Sequence, residues 1–200
     1  MPALNFDRNA EYILEDDHVL LRPLQETDLD NLLTFALNEQ DTWKYSSKGG
    51  RGRDGMLAYI QDALTLKATG IEYPFIVFDK LSQSYAGSTR FYDIQPKMQT
   101  LQLGYTWYGG KFRGTKLNKH CKFLLLQFAF ETLGAERVEF RADARNERSI
   151  AAMKSIGCTV EGLLRSNTPL PEGGRRDSIV LSILKSEWVN GVKENLKAKL

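Results

Sequence analysis

The chain has 200 residues, of which 42% are hydrophobic and 26% are charged, and its formal net charge at pH 7 is +2. This length and composition suit one globular domain of ordinary size over residues 1–200, with enough core to fold without disulfides or metal ions. A net charge so close to zero argues against general binding to nucleic acid or to an anionic membrane.

The two cysteines, Cys121 and Cys158, lie within apolar patterns and belong to no C-x-x-C or Cys/His cluster. This pattern favours buried free thiols in a reducing compartment. The first residues contain no apolar signal segment, and the longest apolar stretches, such as 123–126, are far too short to span a bilayer. We therefore predict a cytoplasmic protein with no metal site, no nucleic-acid partner and no membrane partner.

The hydrophobic pattern predicts secondary structure in the order β α α β β β α β α β β α. The predicted strands cover 19–24, 75–79, 85–92, 101–108, 137–143, 159–165 and 178–184. The predicted helices begin near residues 27, 54, 115, 146 and 185, with a polar leader over 1–18 and a C-terminal helix over 185–200. Short consecutive loops favour antiparallel neighbours, whereas the strand after the central helix can lie parallel to the strand before it.

The segment 109–116, with the sequence G-G-K-F-R-G-T-K, lies between a predicted strand and the long central helix. A glycine-containing turn at a helix start presents free backbone N–H groups, and the helix dipole makes that end attractive to anions. Gly114 can take the tight backbone conformation that a closely approaching phosphate requires, and Lys111, Arg113 and Lys116 add positive charge. We interpret this segment as a pyrophosphate site.

Two other interpretations of this segment stay open. One is an ordinary solvated turn, the usual meaning of a Gly/Lys/Arg cluster between a strand and a helix. The other is a nucleotide P-loop, because Gly109 and Gly114 have its G-x-x-x-x-G spacing. However, the P-loop continues with Lys and then Ser or Thr, whereas Thr115 and Lys116 stand in the inverted order.

The order of elements, with the phosphate turn after the fourth strand, resembles the GCN5-related N-acetyltransferase (GNAT) family. The coenzyme A loop of that family is written Q/R-x-x-G-x-G/A. Residues 111–116 match its basic position and its first glycine, and carry Lys116 in place of the second glycine. The resemblance extends from residue 19 to about residue 188.

Further residues are similar to the branch that contains the ribosomal-protein N-terminal acetyltransferases of the RimJ/RimL type. They are Asn146-x-x-Ser149, Gly157, the E-G-L-L-R segment 161–165, the Arg113-Gly114-Thr115 triplet, Asn118, Lys122 and the leucine run 124–126.

This resemblance implies a mixed α/β (α+β) fold with a largely antiparallel sheet of about six to seven strands and helices on both faces. It implies transfer of an acetyl group from acetyl coenzyme A to a primary amine, directly within a ternary complex. The acceptor would be a protein N-terminal α-amine or a small-molecule amine, and a homodimer is one expected assembly. The strand carrying 105–108 would splay from its neighbour and leave backbone groups free for the pantetheine arm. An alternative from another class is a non-catalytic coenzyme A-binding or protein-interaction module on the same fold.

The resemblance also implies the site residues. Ser149 and Glu161 are the expected catalytic residues, with Glu161 as a base or amine anchor. The expected cofactor-binding residues are Trp107, Tyr108, Lys111, Arg113, Gly114, Thr115, Lys116 and Asn146. Structural alternatives stay open: helix capping for Asn146 and Ser149, a solvent-facing strand position for Glu161, and core packing for the two aromatic residues.

Three positions depart from the family pattern. Lys116 stands in the phosphate loop, and His120 stands where relatives of this type commonly carry glutamate. Met153 occupies the position at which many members of the wider fold place a tyrosine that protonates the departing thiolate. Because methionine has no proton to donate, we expect Ser149 to hydrogen-bond the sulfur as charge develops.

Overall fold

The computed structural model describes residues 3–46, 48–170 and 173–200, so Met1 and Pro2 of the predicted leader lie outside it. Its strands are β1 (Leu14–Glu15), β2 (Val19–Pro23), β3 (Tyr73–Asp79), β4 (Ser84–Gln95), β5 (Thr100–Tyr108), β6 (Arg137–Asp143), β7 (Thr159–Pro169) and β8 (Arg175–Leu184). Its α-helices are α1 (Leu29–Asn38), α2 (Gly52–Thr69), α3 (Leu117–Gln127), α4 (Glu147–Ser155), α5 (Lys185–Glu187) and α6 (Lys193–Lys197). None of these helices has the length and apolar character that crossing a membrane requires.

The strands form one open sheet in the order β1-β2-β3-β4-β5-β6-β8-β7. All neighbouring pairs are antiparallel except β5 and β6, which are parallel and are joined through α3. The prediction of a mixed, largely antiparallel sheet is therefore confirmed. The described residues form eight strands rather than six to seven, because β1 adds a strand within the predicted leader. A strand of two residues is too short to produce a recognisable alternating pattern.

The sheet is covered by helices on both faces around its centre. Five consecutive residues of β3, from Tyr73 to Val77, are buried, so neither face of this strand is open to solvent. Helix α2 contacts β3, and α3 contacts β2. The main core runs along the same central strands and includes Phe75, Phe91 and Phe128.

The C-terminal segment is helical but broken, which corrects the prediction of one helix over 185–200. Gly191 has a φ of 140° and interrupts the run between α5 and α6. The indole of Trp188 is buried and donates to the Glu131 carboxylate at 2.8 Å, while Leu196 on α6 is buried in the core. The glycine allows the chain to turn, so that both apolar side chains reach the core.

Candidate active site

The central strands β5 and β6 form a fork. They pair only where Thr100–Gln102 faces Arg137–Glu139, and beyond these residues the two strands separate, as the resemblance predicted. The edge of β5 that faces the fork is therefore left without a partner strand from residue 103 onward. Such an edge presents main-chain donors and acceptors to any ligand that enters the fork.

A β-bulge in β5 bends the strand at the fork. On β4, Ser88 faces Trp107 and Arg90 faces Gly104, so Thr89 lies opposite two residues of β5, Tyr105 and Thr106. Tyr105 takes a φ of 48°, which is unusual for a residue with a side chain. An extra residue of this kind increases local twist and ends regular pairing.

A buried ion pair packs against the bulge. The Arg90 guanidinium, which is fully buried, lies 2.6 Å from the Glu72 carboxylate. It is also held between the rings of Tyr59 and Tyr105, with 4.7 Å to each ring centroid. Since Tyr105 is the residue with positive φ, this stacking supports the strained part of the strand.

The fork opens a cavity of about 1000 Å³. Its walls come from the segment after α1, the second half of β5, the loop before α3, the inner face of α3, the end of β6 and one side of α4. Residues of β4, of the end of β7 and of the start of β8 also line it. A cavity of this size is at the upper end of the range for small-molecule sites.

The loop before α3 has free main-chain N–H groups at a helix start. Gly114 has a φ of 76° and no atom lies within 4 Å of the position where a Cβ would stand, so the loop is open above it. The Thr115 hydroxyl donates to the Phe112 carbonyl at 2.7 Å and accepts from the N–H of Leu117, the first residue of α3. In the described part of the chain, the N–H groups of Gly114, Thr115 and Lys116 have no acceptor. Three free donors at a helix start are what a phosphate group requires.

Two of the three basic side chains of this loop point away from the cavity. Lys111 donates to the Ser84 hydroxyl at 3.1 Å, and Lys116 donates to the main-chain oxygen of Leu200 at 2.5 Å. These lysines are not among the described residues that line the cavity. Their expected contact with the cofactor therefore requires a change of side-chain rotamer.

Arg113 is the basic side chain of the loop that lines the cavity. Its Nε donates to the Tyr108 carbonyl at 2.9 Å, and its guanidinium lies 3.6 Å from the Glu39 carboxylate. Glu39 also accepts the N–H of Gly110 at 2.7 Å. These contacts tie the loop to the end of α1, so that Arg113 holds the loop in shape as well as adding charge.

Trp107 and Tyr108 form an aromatic wall of the cavity. Both are buried, at 7% and 8% exposure. The indole of Trp107 donates to the Tyr59 hydroxyl at 3.3 Å and packs against Trp43, with 4.9 Å between ring centroids. These residues therefore belong to the core and also line the cavity, and their contact with the cofactor stays a prediction.

Helix α4 and its N-cap bring Asn146, Ser149 and Met153 to the same cavity. The Asn146 side-chain oxygen accepts the N–H of Ser149 at 3.2 Å, which makes Asn146 the helix cap. Among the described residues, the Asn146 amide NH₂ and the Ser149 hydroxyl have no hydrogen-bond partner, so both can contact a ligand. Met153 lines the cavity with 7% exposure and offers no proton.

The structure does not bring Glu161 to the cavity. Glu161 lies near the start of β7 and is not among the described residues that line the cavity, although Asn167 and Thr168 near the end of the same strand are. Its carboxylate pairs with both terminal nitrogens of Arg137 and accepts from the Ser182 hydroxyl. The hydrogen bonds from Arg137 lower the pKa of the carboxyl group, which makes it a weak base. The expectation that Glu161 acts as base or amine anchor is therefore corrected.

His120 lies outside the cavity and joins α3 to the start of β2. Its Nδ1 lies 2.7 Å from the Asp16 carboxylate, and its ring stacks on His18 with 4.2 Å between centroids. Burial raises the pKa of Asp16, but hydrogen bonds from His120 and from the N–H groups of Val19 and His18 outweigh burial and lower it. These contacts form a structural clamp, in which side chains hold α3 against the segment that leads into β2.

The same three side chains offer metal-ligand atoms within 4.8 Å of one another. However, the imidazole planes of His18 and His120 differ by only 23°. A histidine binds a metal ion with the lone pair in its ring plane, at about 2.0–2.1 Å for zinc. Lone pairs in two stacked planes do not converge on one ion, so this arrangement fits the structural clamp better than a metal site.

Lys122 is a buried residue of the cavity that the sequence analysis named in the resemblance without assigning it a role. It is 5% exposed, lines the cavity and donates from Nζ to the Thr106 hydroxyl at 2.8 Å. The signal available in the sequence was a lysine between Cys121 and Phe123, within an otherwise apolar stretch of helix. A charged residue at such a position is rarely buried without a reason.

Comparisons with known proteins agree with the fold. Residues 18–159 match the family model described as the acetyltransferase (GNAT) domain. YdaF of Bacillus subtilis (strain 168), provisionally described as a ribosomal N-acetyltransferase, is 26% identical over 179 residues, or 86% of this chain and 94% of that protein.

Solved structures are also similar. A provisionally described acetyltransferase from T. thermophilus superposes with a TM-score of 0.84 at 34% identity, covering 94% of this chain and 96% of that chain. An acetyltransferase from Salmonella typhimurium, described as modifying the N-terminal serine of the 50S ribosomal subunit protein L7/L12, has a TM-score of 0.75 at 19% identity. That match covers 86% of this chain and 99% of the other, and at this identity it concerns the fold alone.

Proposed function

Because the chain belongs to the acetyltransferase (GNAT) domain family, we propose that it transfers an acetyl group from acetyl coenzyme A to a primary amine. The family match and the acetyltransferase neighbours make the protein an acyltransferase. The proposed enzyme is cytoplasmic, its domain is the whole chain, and the favoured acceptor is a protein N-terminal α-amine.

The fork between β5 and β6 is the observation that carries this proposal. Acetyl coenzyme A needs a place for a pyrophosphate, for an amide-bearing arm and for a reactive thioester. The free N–H groups of residues 114–116 fit the pyrophosphate, and the unpaired edge of β5 fits the amides of the arm. The Asn146 amide, which lines the same cavity, can add a contact to the arm. When bound, the cosubstrate supplies an activated acyl group.

The chain would contribute to the reaction mainly through preorganisation. Main-chain N–H groups on the fork side of β5 are fixed by the bulge and can donate to the thioester oxygen as negative charge develops. Such electrostatic stabilisation of the transition state is usually a large contribution to the rate. Cofactor and amine held side by side in one cavity gain from proximity. A general base has little deprotonation to carry out, because an α-amine with a pKa near 8 is already partly neutral at physiological pH. The reaction can therefore proceed although Glu161 is distant.

A protein acceptor is favoured over a small-molecule amine by the description of YdaF. That relative is provisionally described as a ribosomal N-acetyltransferase. The direct test is turnover of acetyl coenzyme A with matched acceptors: peptides with a free N-terminus, the same peptides with a blocked N-terminus and an internal lysine, and small polyamines.

We expect turnover with the free N-terminus and little with the blocked peptide. Faster turnover of polyamines would point to the small-molecule alternative. Tight coenzyme A binding without turnover of any amine would point to the non-catalytic alternative.

The proposed phosphate loop has its own test at Gly114. Gly114→Asp should weaken coenzyme A binding, since a carboxylate would stand where phosphates approach. At about 5 Å, each pair of charges repels by roughly 1–3 kcal/mol for effective dielectric constants between 80 and 20. The matched control is Gly114→Asn, because asparagine has nearly the same shape and also tolerates positive φ. Calorimetric affinities for the two variants within a factor of two of each other would place the phosphates elsewhere.

A further inference from the structure

Lys122 is a buried cation that faces the cavity with few partners. Its ammonium group has three N–H donors but makes one hydrogen bond in the described structure, to Thr106. The Thr106 hydroxyl accepts that bond and lies 2.8 Å from the Thr89 hydroxyl, so it can pass its own proton onward. The Lys122 Nζ also lies 5.9 Å from the centroid of the Phe140 ring. Thr106 and Phe140 stand on the two strands that separate, which places the ammonium at the fork.

No carboxylate neutralises this ammonium group among the described residues. The other buried charged residue that lines the cavity, Asp143, is held by Arg145 at 2.7 Å. Two thiols, Cys121 and Cys158, interact with Lys122 electrostatically. Burial raises the pKa of each thiol to about 12, so both are neutral at physiological pH. An uncompensated buried cation is costly, and a cavity that contains one is suited to an anion.

We propose that Lys122 stabilises the departing coenzyme A thiolate and donates the proton that converts it to a thiol. This inference rests on the proposed acetyltransferase function and deepens it. It gives the reaction an acid from α3, in place of the one that Met153 on α4 cannot supply. Ser149, which lines the same cavity, would add a hydrogen bond rather than the proton.

The step balances without any further reactant. The amine nitrogen bonds to the thioester carbon and loses one proton to water, and the carbon–sulfur bond breaks with its electron pair going to sulfur. The Lys122 ammonium then gives a proton to sulfur and becomes a neutral amine. Water returns a proton to the lysine before the next turnover, so the products are the acetylated amine and free coenzyme A thiol.

The acidity of Lys122 suits this role. Burial lowers the pKa of its ammonium group to about 8, from a usual value of 10.5. A thiol has a pKa near 8.5, so proton transfer between the two groups is nearly balanced. The groups that face the ammonium are Cys121 on its own helix, Cys158 before β7, Thr106 on β5 and Phe140 on β6. Of these, only the two thiols titrate, and they do so well above pH 8.

The first experiment measures binding and needs no turnover. Coenzyme A and desulfo-coenzyme A, which has hydrogen in place of the thiol, are titrated calorimetrically into the wild type, Lys122→Met and Lys119→Met. Lys119 is the matched control, since it lies on the same helix and is not among the described residues that line the cavity. At pH 8 we expect the wild type and Lys119→Met to bind coenzyme A about tenfold more tightly than the desulfo compound, as for one charge-assisted contact. Lys122→Met should show no preference.

The second experiment measures turnover of the best acceptor against pH. We expect kcat to fall by about 10²-fold in Lys122→Met, within the usual range for general acid catalysis, while KM for acetyl coenzyme A changes little. The wild-type profile should decline above about pH 8, and the variant should lack this decline. Equal thiol preference in wild type and variant, or an unchanged kcat profile, would overturn the assignment while leaving acetyl transfer intact. Absence of wild-type turnover with every amine would instead remove the proposed function, and the binding comparison would still decide whether Lys122 contacts the sulfur.

Discussion

Replacing Lys122 by methionine should make the protein more stable, even as it makes the enzyme slower. The cause is the cost of burying an ammonium group with one hydrogen-bond partner. Its pKa falls from 10.5 in the unfolded chain to about 8 in the folded protein. This difference of about 2.5 units corresponds to roughly 3 kcal/mol at about 1.36 kcal/mol per unit. Methionine has similar length and no charge, so Lys122→Met should gain about this amount at pH 7.

The sign of the pH dependence follows from proton binding. Below pH 8 both states of the wild type hold the proton, and the folded state carries the full cost. Between about pH 8 and 10.5 the folded state releases the proton first, so its free energy of unfolding rises with pH relative to that of the variant. Urea denaturation of wild type, Lys122→Met and Lys119→Met at steps from pH 7 to 10 measures this directly. If the curves for wild type and Lys122→Met stay parallel over that range, Lys122 is not a depressed buried ammonium, and the assigned acid loses its physical basis.

Three further predictions concern the cavity and its support. Ser149→Ala should slow the acetyl-transfer step by roughly 5- to 150-fold, as for one unmade hydrogen bond, with normal acetyl coenzyme A binding; an unchanged pre-steady-state rate would leave Ser149 as a helix residue only. Lys116→Gly should preserve or improve coenzyme A affinity in a binding titration, because the lysine points away from the cavity, and a large loss would show that it contacts a phosphate. Gly109→Ala should destabilise the fold by about 1–3 kcal/mol in thermal denaturation, since its Cβ would overlap the Phe35 ring, whereas Gly49→Ala meets no atom and should change little.

The order of elements was predictable because it depends on patterns that repeat along the chain. The apolar face of α3 and the alternation in β6 both produce such patterns, and their order led to the correct fold. The two-residue strand β1 does not, and neither does the interruption of the C-terminal helix at Gly191. In the latter case, a single glycine decides between a continuous helix and a break, and tertiary packing of Trp188 and Leu196 selects the break.

The candidate site was predictable where main-chain geometry follows from local sequence. Gly114 before a helix start indicated a turn of positive φ, and Asn146 indicated a helix cap, which also lines the cavity. The position of Glu161 was not predictable, because strand order in space differs from strand order along the chain. The bulge at Tyr105 could not be predicted from the sequence either, since it depends on pairing with β4 and on contact with the buried Arg90.

The fork between β5 and β6 separates recognition of the acyl donor from recognition of the acceptor amine, two properties that could otherwise change together. A ligand lying along the open edge of β5 would be hydrogen-bonded by main-chain peptide groups, and these are the same whichever side chains the strand carries. Use of the acyl donor would then survive extensive sequence divergence, provided that the bulge stays in place. The acceptor would instead meet side chains of the segment after α1, of the end of β7 and of the start of β8, all of which line the cavity. These side chains can vary without moving the peptide groups of β5. Such a fold can exchange one amine substrate for another while its binding of the acyl donor stays unaltered. Transplanting the segment after α1 and the β7–β8 segment between relatives is therefore a practical route to new acceptor specificity.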